Sequence, residues 1–143
     1  PSKLNFPFDI SLLGMGLDGH FASLFPELLE NISLFELNAP HEIYLSQKSL
    51  GDPSHKRITM NLSMLLNSDR CILLVSSESK RGVLDRAIGD TRLPVHHLIN
   101  QFRISSFQFR IINIISIPIL RNLIWNTKKF HHFFHIIVNF SIY

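Results

Sequence analysis

A chain of 143 residues, 45% hydrophobic and 17% charged, has room for one domain with a core and excludes a disordered polyelectrolyte. Its single cysteine, Cys71, excludes an internal disulfide and a zinc site built on thiolates, and a reducing, cytoplasmic setting is the expectation. The formal charge of +3 averages two unlike parts: residues 1–101 carry nine Lys and Arg against all eleven acids, a net −2, while residues 102–143 carry five Lys and Arg and no acid, a net +5. The basic excess sits in one segment, so a nucleic-acid partner is not expected. The start, Pro1-Ser2-Lys3-Leu4, shows neither a signal-peptide pattern nor an initiator methionine, and the sequence is expected to begin inside a longer protein.

The first predicted element is a strand over residues 8–13, an apolar run that ends at Gly14. It feeds a glycine-punctuated loop, Gly14-Met15-Gly16-Leu17-Asp18-Gly19-His20. Asp18 is placed to cap a short helix from about Gly19 to Phe25, which Pro26 would stop. Residues 42–46 alternate weakly, as a second strand does. Residues 61–67 fit a short helix. Residues 70–76 form a near-continuous apolar run, the kind buried on both faces of a parallel sheet. Ser77 to Lys80 then opens a helix ending near Gly89, with Val83, Leu84, Ala87 and Ile88 on one face. Strand, loop, helix, strand and helix in this order are the grammar of a parallel α/β sheet.

After Gln101 the composition changes. Residues 102–143 are rich in Ile, Phe, Asn and His, with no glycine and one proline, Pro118. The longest uncharged apolar stretch, Ile111 to Leu120, is too short to span a bilayer and is interrupted by Asn113 and Pro118, so a membrane partner is not expected. Neither a helical period nor a strand–turn rhythm stands out. The segment reads either as an interfacial stretch or as sequence foreign to the rest, as a frameshift or read-through in an A/T-rich message would produce. The expected division is a partial α/β domain over 1–101 and an atypical tail over 102–143. The tail is expected to pack poorly on the core, as separate helices if ordered.

The chemistry-bearing residues cluster in the first glycine loop. A strand end that delivers such a loop to the carboxyl edge of a parallel sheet delivers it where open α/β folds bind ligands. Gly14, Gly16 and Gly19 permit tight turns and a close backbone approach. Asp18 and His20 would be presented at the mouth of a site, and an imidazole suits general-base work near neutral pH. Taken singly, each feature has an ordinary explanation. Glycines are common between strands and helices, Asp18 can be a helix cap, and a lone histidine is more often structural. The histidines His96, His97, His131, His132 and His135 have no carboxylate nearby in the tail, and no metal site is expected from them.

The whole string from Gly14 to Pro26, G-M-G-L-D-G-H-F-A-S-L-F-P, closely resembles the signature of 6-phosphogluconolactonases. Related glucosamine-6-phosphate isomerases share the Gly-x-Asp-Gly-His core but continue differently from Ser23-Leu24-Phe25-Pro26, which favours the lactonase branch. The resemblance continues at Lys56-Arg57-Ile58-Thr59-Met60-Asn61, in the strand and turn from Cys71 to Lys80, and at Leu93-Pro94-Val95. It covers roughly residues 6–100 and stops near Gln101. It implies a Rossmann-like parallel sheet, incomplete here, and hydrolysis of 6-phospho-D-glucono-1,5-lactone to 6-phosphogluconate in the pentose phosphate pathway. It implies no cofactor and no metal. His20 would activate water, and Asp18 would orient His20 or the substrate. Gly14, Gly16 and Gly19 would line the substrate site. Arg57 and Lys80 would hold the phosphate or the developing charge, although each also reads as solvated surface charge.

Two departures qualify the resemblance. Family members are longer, and the half that supplies their glycine-serine phosphate loop is absent. The last family strand, expected after Leu93-Pro94-Val95, is replaced by the 102–143 tail. Two further readings therefore stand beside the lactonase: an amino-sugar-phosphate isomerase, and a non-catalytic remnant or interaction protein. Oligomeric state is not legible in the sequence.

Overall fold

The computed structural model describes residues 6–102, 109–113 and 137–138. Strand β1, Phe8–Gly14, carries Phe8, Ser11 and Leu13 inward. Strand β4, Ser68–Val75, carries Cys71, Leu73 and Val75 into the same core. The two run parallel in register from Phe8 opposite Ser68 to Gly14 opposite Leu74. Their carboxyl ends therefore lie side by side, and the loop after β1 and the turn after β4 leave the sheet at one edge. Ser11, fully buried in β1, donates its hydroxyl to the carbonyl of Leu65 at 2.7 Å, so its burial leaves no donor unsatisfied.

Between these strands, β2 (Ile43–Leu45) pairs antiparallel with β3 (Ile58–Met60) in a two-stranded ribbon separate from the main sheet. Helix α1, Leu62–Leu66, is buried along its whole length. It starts at Asn61, whose side-chain oxygen accepts from the Met64 amide at 3.2 Å, an N-cap that ends the ribbon and opens the helix. Helix α2, Glu78–Ala87, is capped by Ser77, with Glu78 in its first turn and Arg86 in its last, as the helix dipole favours. Val83 and Ala87 face the core as expected, but Ile88, the cap residue just past the helix, is 60% exposed.

Three expectations are corrected. Residues 19–25 do not form a helix. Gly19 and Ala22 take φ of +79° and +50°, which an α-helix cannot accommodate, and isolated bridges join Met15 to Phe21 and Phe21 to Leu24. Pro26 does not stop a helix but opens a 3-10 turn, Pro26–Leu28, because a proline lacks only an amide that a first turn leaves unbonded. Helix α3, Pro94–Phe102, begins at another such proline and buries Val95 and Leu98 completely.

The third correction concerns the tail. Strand β5, Phe109–Asn113, pairs parallel with β4, from Cys71 opposite Phe109 to Val75 opposite Asn113. Strand β6, Ile137–Val138, pairs parallel with β1 at Ser11 and Leu12. The sheet order is β5-β4-β1-β6, so two pieces of the tail flank the strands that carry the loop rather than pack apart. Strands β5 and β6 are five and two residues long, too short for a strand rhythm to stand out in the sequence. The remaining tail residues, and the separate helices expected of them, lie outside the described residues. Among the described residues no helix is long and apolar enough to cross a membrane.

Candidate functional site

The loop after β1 folds back on itself. The Gly16 amide donates to the His20 carbonyl at 2.8 Å, and the Gly19 amide donates to the Gly16 carbonyl at 3.2 Å. This turn brings the two expected residues together. Asp18 is not a helix cap; its Oδ1 accepts from the His20 backbone amide at 3.2 Å and lies 2.6 Å from His20 Nδ1. Burial pushes the Asp18 carboxyl up, but the hydrogen bonds from His20 and its charge outweigh that and hold it below its ordinary value. An ionised carboxylate only accepts, so Nδ1 carries the hydrogen of that bond. The sequence placed both residues at the mouth of a site. In the structure Asp18 is partly open, its side chain 45% exposed, while His20 lies beneath it at 7%.

The loop glycines have distinct tasks. A Cβ on Gly16 would fall on Nδ1 and Cε1 of His20 and within 2.5 Å of Asp18 Oδ1, so the bare Cα is what lets the pair sit there. Gly19 combines its positive φ with contact to Leu93, 3.2 Å from where a Cβ would stand. Its carbonyl accepts from the Val95 amide at 2.9 Å, tying the loop to the start of α3. Gly14 is the last residue of β1 and leads into this loop.

Sequence reasoning missed Phe25, which it treated only as part of a motif string. Phe25 is buried, and its ring centroid lies 4.3 Å from that of His20, tilted by 31°. The Arg57 guanidinium lies over the same ring, 5.6 Å from its centroid. Arg57 also donates from Nε to the Leu50 carbonyl at 3.1 Å and from Nη2 to the Pro53 carbonyl at 2.6 Å. Arg57, half-buried, thus reaches the His20 neighbourhood through Phe25. Lys80 stands apart from this group, in the first turn of α2 beyond the end of β4, on the same edge of the sheet. Partial burial holds its ammonium below the ordinary lysine value.

The adjacent histidines of α3 serve packing. His96 donates from Nδ1 to the Ala87 carbonyl at 2.7 Å and accepts at Nε2 from the Asn100 side chain at 2.7 Å. His97 reaches the Thr91 carbonyl at 3.2 Å and packs near Phe35. These bonds join α3 to the end of α2. Among the described residues no group of three His, Cys, Asp or Glu is arranged to hold a metal ion. His131, His132 and His135 lie outside the described residues.

A family model described as glucosamine-6-phosphate isomerases/6-phosphogluconolactonase matches residues 2–105. The chain belongs to this family. It is 34% identical over 103 residues to a 6-phosphogluconolactonase of Helicobacter pylori, a match that covers 70% of this chain and 43% of the relative. A protein of Arabidopsis thaliana described as probable 6-phosphogluconolactonase 1 is 33% identical over 122 residues, covering 85% of this chain and 39% of its own length. A share of 85% is more than residues 1–101 supply, so the likeness continues past Gln101, where the motif residues had suggested it stops. Among solved structures, a 6-phosphogluconolactonase from Shewanella baltica matches with a TM-score of 0.60 and 29% identity, over 78% of this chain and 46% of that one. The chain spans less than half the length of these relatives.

Proposed function

We propose that this chain carries the catalytic base of a 6-phosphogluconolactonase, acting in the cytoplasm on a sugar-phosphate lactone without a cofactor or metal. The observation that carries the reading is the Asp18–His20 pair, bonded at 2.6 Å in a glycine loop at the carboxyl edge of a parallel sheet. Nε2 of His20 takes a proton from water as the water oxygen attacks the lactone carbonyl carbon. The tetrahedral intermediate then collapses, the bond from that carbon to the ring oxygen breaks, and the ring oxygen leaves as a hydroxyl after taking up a proton. Asp18 keeps the ring in the tautomer with its lone pair on Nε2 and stabilises the imidazolium as it forms. Gly14 leads the backbone to the substrate edge, Gly16 and Gly19 shape the loop that holds the pair there, and Lys80 and the remaining donors of Arg57 hold the phosphate or the developing negative charge. Residues 1–101 carry this chemistry, with the tail as flanking sequence.

The test is an assay of two forms, the 143-residue chain and a version extended to the length of its relatives. Each is offered 6-phosphogluconolactone and, separately, glucosamine 6-phosphate, with spontaneous lactone hydrolysis subtracted. The extended form is expected to hydrolyse the lactone and leave the amino sugar unchanged. Isomerisation of the amino sugar would move the chain to the other branch of the family, and inertness of both forms would favour the non-catalytic reading.

A further inference from the structure

We propose that Thr59 is a positioning residue of the site, its hydroxyl reaching from β3 to hold a left-handed turn two residues past His20. The inference rests on the reading of His20 as the base. The chain reverses twice around that residue. The first reversal, from Gly16 to His20, carries the Asp18–His20 pair and places a glycine, Gly19, at its positive φ of +79°. The second, from Phe21 to Leu24, is closed by the Leu24 amide, which donates to the Phe21 carbonyl at 2.9 Å. Its left-handed residue is Ala22, at φ +50°, the one non-glycine residue with positive φ among the described residues. A Cβ disfavours that conformation, and it persists where the surroundings impose it. Residues held in this way gather at functional sites.

The surroundings that impose it can be named. Phe21, wholly buried, anchors the turn on one side and is bridged to both Met15 and Leu24. On the other side the Ser23 amide donates to Thr59 Oγ1 at 3.3 Å, from 36 residues away in the chain. Thr59 is 3% exposed, and its hydroxyl donates to the Met60 carbonyl at 3.1 Å, which turns the lone pairs of Oγ1 to Ser23. The pairing of Thr59 with Tyr44 across the ribbon fixes where that oxygen stands. Ile58 is 65% exposed, so its neighbours Arg57 and Thr59 turn to the opposite, inward face. One short stretch of chain therefore meets the 20–25 loop at two points, Arg57 over the Phe25 ring and Thr59 at the Ser23 amide. This stretch sets the spacing between the base and the cation of the proposed site.

The experiment measures amide hydrogen exchange, residue by residue, in the 143-residue chain. The Gly16 and Leu24 amides report the two reversals, and each bonds a loop carbonyl rather than Thr59. The amides of β1, β4 and α2 report the fold. Thr59→Val keeps the shape and removes the hydroxyl. It should speed exchange at Gly16 and Leu24 by roughly tenfold, the factor that loss of one ordinary hydrogen bond gives, and leave the fold amides unchanged. Thr59→Ser should keep the original rates. Adding Ala22→Gly to Thr59→Val should slow the loop amides again, because glycine takes positive φ unaided. Unchanged loop exchange in Thr59→Val would overturn the proposal. So would equal acceleration throughout the fold, which would assign the hydroxyl to stability alone, and so would an Ala22→Gly change that slows nothing. If Thr59→Val does not fold, Thr59→Ala takes its place, and failure of both to fold would also overturn the proposal. In the extended form Thr59→Val should lower kcat by about the same tenfold with KM little changed, and Thr59→Ser should restore it. Unchanged kcat beside accelerated loop exchange would remove the positioning role. Failure of the base assignment shows separately, as lactone turnover that survives His20→Ala in the extended form whatever the exchange of the Thr59 variants.

Discussion

Replacing Gly16 with alanine adds one methyl group at the point where the loop backbone meets the imidazole. That carbon would overlap Nδ1 and Cε1 of His20 and lie 2.5 Å from Asp18 Oδ1. Favourable carbon contacts begin at about 3.5 Å, so the His–Asp pair must withdraw by roughly 1 Å. The ring has little room to do so. Asp18 bonds it at 2.6 Å, Phe25 stacks on it, and the His20 carbonyl is tied to the Gly16 amide at 2.8 Å. Overpacking typically costs about 1–3 kcal/mol, and with neighbours held this firmly the upper part of that range is expected. Urea unfolding of the 143-residue chain measures the loss. Gly82→Ala is the matched control: a Cβ there meets nothing within 4 Å, and a mid-helix Gly-to-Ala change should stabilise by about 0.5–1 kcal/mol. A Gly16→Ala chain within about 0.5 kcal/mol of the original, the usual range for an unconstrained surface site, would refute the steric argument.

Other outcomes follow from particular bonds. Asn61 is fully buried, accepts from the Met64 and Glu42 amides, and donates to the Pro40 carbonyl at 2.8 Å. Asn61→Ala should cost about 2–4 kcal/mol in thermal or denaturant unfolding, from the lost cap and the orphaned partners; a loss under about 1 kcal/mol would contradict this. The Asp18 carboxyl titrates below its ordinary value of 3.8 when folded, so its ionised form contributes stability that is present above that pH and lost as pH falls through the lower folded value. Asp18→Asn should therefore be less stable than the original chain near neutrality, and the gap should close in acid. A gap of equal size at acid and neutral pH would show that Asp18 does not act through its charge.

The elements that sequence made legible are those with a local cause. The apolar runs of β1 and β4 declare buried strands, and the α2 helix shows its apolar face and Ser77 its cap. Asp18 and His20 were legible as a pair because the motif places them two residues apart in a glycine loop. What stayed hidden depends on contacts distant in sequence. The stretch from Gly19 to Phe25 looks like a capped helix until the positive φ of Gly19 and Ala22 is known. Strand β5 is only five residues long, with Arg110 and Asn113 among its apolar positions, and its pairing with β4 is a contact distant in sequence. Pro94 opens α3 with Val95, Leu98 and Ile99 at the spacing of one face, over a span too short to show a clear helical period. Arg57 was legible as a cation, but the carbonyls of Leu50 and Pro53 that it engages are not a sequence feature. Phe25 was indistinguishable from any core aromatic, since only the fold brings Arg57 to it.

The central claim is that His20 removes a proton from water in the transition state. It is tested most directly by steady-state kinetics of His20→Ala in the version extended to the length of the relatives, with spontaneous lactone hydrolysis subtracted. General-base catalysis typically contributes about 10²–10⁴-fold, so kcat should fall by that order while KM changes little. Turnover close to that of the unaltered enzyme would contradict the account, because no other histidine among the described residues shares the loop that carries Asp18.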